Sequence, residues 1–123
     1  LAIFDREIAA RTQLAAHYDA RLADAVTTPL REDGKASSWA QYSVLIDDRD
    51  DVQAKLRKAG IPTAVYYPLP MHLQPAYAAY GDGDGSLPVS ESLAKRIMSL
   101  PMHPYMEEAT ADTICDALIE AVR

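Results

Sequence analysis

The stretch whose reading decides the fold is AVYYPLPMHLQPAY, residues 64–77. Ala64-Val65-Tyr66-Tyr67 begins as a strand, then runs into Pro68, Pro70 and Pro75 with His72 and Gln74 between them. Proline fixes its own φ and restricts the residue before it, so the segment is stiff. A stiff loop after a strand presents a fixed polar group at little entropic cost. Turns also collect polar residues, and spacing alone leaves His72 between those two roles. Tyr66 and Tyr67, as successive strand residues, are expected on opposite faces, one toward the helices and one toward a partner or cleft. Tyr77 and Tyr80, on a short helix from Pro75 to Tyr80, read as core more than contact.

Working outward, IPTAVYY (61–67) reads as a strand, preceded by a helix that Asp47 or Asp48 can cap. That helix has acid in its first turn at Asp50 and Asp51, an i,i+4 pair from Asp51 to Lys55, and Val52 and Leu56 inward. Gly60 is placed to stop it. Before it, SSWAQYSVLI (37–46) alternates and carries aromatic and β-branched residues, which predicts a strand. Residues 2–24 form one long amphipathic helix, with Phe4, Ile8, Ala15, Tyr18 and Leu22 recurring at threes and fours. Downstream, GDGDGS is a flexible loop and Pro88 opens a helix through Met98. SLPM (99–102) is a short third strand, and Glu107 to Val122 is the closing helix. The order α-β-α-β-α-α-β-α predicts an α/β chain of the α+β kind. We expect a small, mostly antiparallel sheet of three or four strands with helices packed on one face.

At 123 residues and 49% hydrophobic, the chain suits one domain with one core. Its net charge of −6 argues against nucleic acid or an anionic membrane as a partner. No apolar run approaches the ~20 residues that span a bilayer, and no basic-then-apolar leader resembles a signal peptide. The one cysteine, Cys115, cannot form an internal disulfide, which suits a reducing cytoplasm. It lies among Ile114, Leu118 and Val122 at helical spacing, as a buried structural thiol would.

The inventory of chemistry is short. Counted from Asp82, the loop Gly81-Asp82-Gly83-Asp84-Gly85 puts Leu87 and Leu93 where a calcium loop needs Gly and Glu, so it reads as solvated linker. His17, His72 and His103 lack metal-ligand spacing, and no metal is expected. His17 reads as partly exposed, and His103 as a structural hydrogen-bonding residue. There is no GxGxxG, GxxxxGK[ST] or GxSxG. None of the lysines, at 35, 55, 58 and 95, sits in an apolar pattern that would depress its pKa for Schiff-base work. A complete active site cannot be assembled from these residues.

The run YYPLPMHLQPAY followed by LPVSESLAKRIMSLPMHP resembles the C-terminal domain of the DegT/DnrJ/EryC1/StrS family. These are pyridoxal-phosphate-dependent sugar aminotransferases of fold type I. The opening LAIFDREIAARTQLAAHYDARL is similar to the long helix joining that family's large and small domains. The resemblance covers nearly the whole chain. It implies that residues 1–123 are the small domain and 1–24 the linking helix. The large cofactor-binding domain, with the Schiff-base lysine, would then lie upstream of Leu1. The absence of an initiator Met and the abrupt helical start fit such a beginning.

By the same resemblance, the whole protein moves an amino group from an amino acid, usually glutamate, to the keto group of a nucleotide-linked sugar. The products serve amino-sugar and polysaccharide synthesis, the enzyme is a cytoplasmic homodimer, and the isolated chain is inactive. Tyr67 and His72 carry over as substrate contacts, with Tyr66 and Gln74 beside them. Relatives acting on sugar uronates would carry a histidine where this chain has Tyr66, which leaves the sugar open. Met71 stands where Leu is more usual, a packing change only. Two alternatives stand beside this reading: a sugar dehydratase of the same family, with histidine for the lysine, and a non-enzymatic binding or dimerisation module.

Overall fold

The computed structural model describes residues 2–123, and its elements follow the apolar periodicity closely. α1 (Phe4–Leu22) buries Leu14, Ala15, Tyr18 and Leu22 at steps of one, three and four, with Asp5 and Glu7 in its first turn and Arg21 in its last. Those charges suit the helix dipole. β1 (Tyr42–Leu45) precedes α2 (Arg49–Lys58), which buries Val52 and Leu56. Two 3-10 turns follow, Met71–Leu73 and Pro75–Tyr80, and then come α3 (Pro88–Arg96), β2 (Ile97–Leu100) and α4 (Glu108–Ala121). α4 buries Ala111, Ile114, Cys115, Leu118 and Ala121.

β1 and β2 pair antiparallel, with Tyr42 opposite Leu100 and Val44 opposite Met98. Those four side chains share one face of the sheet and join the buried residues of α1, α2 and α4 in a single core. On the other face the Ser43 and Ser99 hydroxyls meet at 2.8 Å. The helical layer on one face of an antiparallel sheet is therefore as expected. Inside the core the Tyr18 hydroxyl donates to the Pro101 carbonyl at 2.9 Å, and the Tyr42 hydroxyl to Asp19 at 2.6 Å. Burial, and for Tyr42 the Asp19 carboxylate as well, pushes both phenols well above their ordinary range.

The sheet is smaller than three or four strands. It has two, flanked by single bridges: Thr27 to Leu45 on one edge and Ala64 to Ser99 on the other. The expected strand at 61–67 is thus one residue of pairing, and the reason is local. Ala64 exchanges both backbone bonds with Ser99, at 3.1 and 2.7 Å. The next bonds of an antiparallel ladder fall two residues away, on Pro62, which has no N–H, and on Tyr66, where the chain bends.

The expected strand at 37–46 shrinks to 42–45 because Trp39 takes a left-handed φ of 48°. Its carbonyl leaves the strand direction and accepts from the Arg11 guanidinium at 3.0 Å. At the other end, α3 stops at Arg96 and β2 begins at once, rather than running to Met98 with a strand at 99–102. Arg49, only 7% exposed, enforces this stop. Its guanidinium donates to the carbonyls of Ala94 (3.3 Å) and Ile97 (3.0 Å), taking up acceptors that the helix end leaves open. Asp48 occupies the N-cap of α2 without making a side-chain cap bond, and Gly60, at φ 79°, follows the helix end as expected. None of the described helices is long and apolar enough to cross a membrane.

Candidate functional site

The irregular segment after Ala64 and the start of α3 enclose an open cleft of about 540 Å³. Tyr66, Tyr67, His72 and Gln74 line one wall, and Leu87, Ser90 and Leu93 the other. A hollow of the same volume between β1, α2 and the end of α4 is richer in charge. Two ion pairs lie in it: Arg96 meets Asp47 at 2.7 Å, and Lys55 meets Asp51 at 2.9 Å. The cleft differs in offering aromatic rings and uncharged donors to solvent.

The four residues singled out from the sequence come together here in different states. Tyr67 is 74% exposed and Tyr66 47%, their rings edge to face with centroids 6.1 Å apart. Both border the same cleft, so the expected division between two faces does not occur; the bend at Tyr66 removes the strand alternation it relied on. Gln74 donates from its amide to the Leu69 carbonyl at 3.3 Å, closing the proline turn. The His72 side chain is only 9% exposed, and its Nε2 lies 2.9 Å from a carboxylate oxygen of Glu91.

Glu91 is the residue that sequence reading missed. It sits in the first turn of α3, itself buried, and accepts the Gly85 N–H on both oxygens at 3.0 Å and the Leu87 N–H at 3.1 Å. The His72 bond, more than the backbone N–H groups, holds its carboxyl below the usual glutamate value, against the opposing effect of burial. An ionised carboxylate only accepts, so the shared hydrogen sits on His72 Nε2. The chain then passes directly over this histidine. A Cβ at Gly81 would stand 2.9 Å from the His72 Cβ and 3.2 Å from its carbonyl oxygen, so only glycine fits.

Other expectations resolve plainly. Tyr77 and Tyr80 are 42% and 89% exposed, not core, because the helix that carries them is a 3-10 turn that buries nothing. His103 Nδ1 accepts from the Tyr105 N–H at 3.3 Å, a structural bond. His17 is partly exposed and bonds Asp112 at 2.9 Å. Cys115 is fully buried, and burial pushes its thiol up to about 11. Neither lysine nor arginine lines the cleft, and the described residues contain no cluster suited to a metal ion.

Comparison with known proteins gives these features a family. The pattern of the DegT/DnrJ/EryC1/StrS aminotransferase family matches residues 1–119. Over 96% of its length the chain is 48% identical to the UDP-2-acetamido-2-deoxy-3-oxo-D-glucuronate aminotransferase of Pseudomonas aeruginosa, of which it covers 32%. It is similar in structure to a DegT DnrJ EryC1 StrS aminotransferase from Brucella abortus, with 47% identity, a TM-score of 0.90, and coverage of 96% of this chain and 32% of that one. Streptomyces venezuelae DesV, solved in complex with a ketimine intermediate, superposes on all of this chain and 34% of its own. That match has a TM-score of 0.95 at 36% identity. The chain thus spans about a third of the length of the relatives it matches. With that likeness running through helices, sheet and cleft wall alike, the chain belongs to the DegT/DnrJ/EryC1/StrS aminotransferase family.

Proposed function

We propose that this chain is the small domain of a pyridoxal-phosphate-dependent aminotransferase, working as a cytoplasmic homodimer, that aminates a nucleotide-linked keto sugar. The amino group comes from an amino acid, with glutamate the expected donor. The sugar's keto oxygen leaves as water, the donor skeleton takes its new keto oxygen from water to become 2-oxoglutarate, and the amino sugar feeds polysaccharide synthesis. The observation that carries this reading is the 48% identity to a nucleotide-sugar aminotransferase across 96% of the chain.

The cleft suits the sugar end of such a substrate. Tyr66 and Tyr67 offer flat apolar rings to a pyranose face and hydroxyls to its oxygens. Gln74 and His72 add an amide and an imidazole at the same wall. The cleft does not fit the cofactor. It has no lysine to form an imine and no cation to meet a phosphate, so those groups belong to the remainder of the protein. The work of this chain is to orient the sugar and to exclude water from one side of it.

The test uses the full-length protein with L-glutamate and a panel of UDP- and dTDP-linked keto sugars. One 2-oxoglutarate and one amino sugar per turnover is the expected result. Loss of water from the sugar without uptake of nitrogen would make the protein a dehydratase. Absence of any reaction across the panel would leave the binding-module reading in its place.

A further inference from the structure

Glu91 lies outside the hydrophobic core, yet its side chain is only 10% exposed. A buried carboxylate loses hydration that only polar partners restore. Here the partners come from three separate stretches: His72 after the proline turn, Gly85 in the glycine loop, and Leu87 at the start of α3. Both walls of the cleft are therefore tied to the same two oxygens. Gly81 passes close over the Cβ and carbonyl oxygen of His72, which fixes where the side chain starts. Among the described residues, the ring's Nδ1 has no hydrogen-bond partner.

We propose that Glu91 is the positioning residue of the cleft: it holds His72 with Nε2–H turned inward, leaves Nδ1 as the ring nitrogen available to the sugar, and sets the distance between the 66–74 wall and α3. This rests on the cleft being the sugar site. Glu91 touches no substrate itself and acts through His72 and the loop. Removing its charge leaves the geometry of every group it ties less defined, and displacement of a positioning group by about 1 Å can cost on the order of 100-fold in rate.

The experiment takes full-length protein and measures the glutamate and keto-sugar half-reactions separately for wild type, Glu91→Gln, His72→Ala and the double variant. The expected result for Glu91→Gln is a loss of about 100-fold in kcat/KM for the keto sugar, with the glutamate half-reaction far less affected. His72→Ala should fall in the same half-reaction, and the double variant should be no worse than its poorer parent, because the two act as one unit. Equal losses in both half-reactions, or losses that multiply, overturn the proposal. A second readout is independent of turnover. Nitrogen NMR of histidine-labelled wild-type protein should show a proton held on His72 Nε2, a signature lost in Glu91→Gln. A ring with no proton on Nε2 overturns the proposal even if the variants fail to fold. Should wild type itself not aminate any sugar, the functional reading fails, while the nitrogen signature still reports on Glu91.

Discussion

Around Tyr18 the molecule is dry: Tyr18, Leu22, Tyr42, Leu56, Met98 and Leu118, drawn from five elements, are fully buried against one another. Around His72, neither 3-10 turn of the cleft wall buries a single residue. The first region is ordered by apolar area and close packing, which are tolerant of direction and intolerant of lost volume. The second is ordered by prolines, one glycine contact and a few directional bonds to a carboxylate, tolerant of lost volume and intolerant of a misplaced atom. An open cleft is not filled by its own side chains, so its geometry is set from the rim.

The largest effect should come from breaking the dry region. Leu118→Ala should cost about 2–5 kcal/mol in urea unfolding of the full-length protein, and a loss below about 1 kcal/mol would mean that α4 is not the load the core rests on. Next comes an addition rather than a deletion. Gly81→Ala sets a Cβ 2.9 Å from His72 and should cost about 1–3 kcal/mol, together with a changed His72 NMR signal. Gly60→Ala is the control. It strains a φ of 79° but meets nothing within 4 Å, so it should lower stability and leave the His72 signal alone.

A smaller effect is expected with pH. The carboxyl of Glu91 titrates below its ordinary value in the folded protein. Its contribution is complete above the ordinary glutamate value and is lost as pH falls through the depressed one. The stability gap between wild type and Glu91→Gln should therefore close in acid; a gap that stays constant there would show that Glu91 is not held ionised. The smallest effect on folding belongs to Tyr67→Phe, within about 0.5 kcal/mol, since the ring is 74% exposed. Its KM for the keto sugar should rise nonetheless, and an unchanged KM would take the Tyr67 hydroxyl out of the site.

The same contrast governs what the sequence revealed. α1, α2 and α4 were legible because apolar residues at threes and fours are a statement about packing, and packing dominates there. The strands were legible as existing but not in extent. The alternation of Trp39 with its neighbours looked like pairing, and only the left-handed turn at Trp39 and its bond to Arg11, distant in sequence, removed it. Pro62 did carry a readable warning against a long strand at 61–67. In the cleft, the proline turn was legible as a stiff segment, and it forms one wall. Glu91 was half legible: a helix opening at Leu87 and Pro88 with no capping side chain leaves N–H groups that a first-turn glutamate can reach. Its bond to His72, across the glycine loop, is a tertiary fact that no local pattern encodes.

The pairing of α1 with α4 has a consequence for how the chain acquires its structure. Arg21 grips Asp112 across 91 positions of sequence, and Ser43 meets Ser99 across 56. Closing loops of that length costs entropy before any burial offsets it, and contacts of such separation slow folding. As the polypeptide emerges N-terminus first, Tyr18 of α1 can meet Tyr42 early, but the part of the stripe that packs on α4 stays uncovered until α4 has been made. Until then that face of α1 is open to chaperones and proteases.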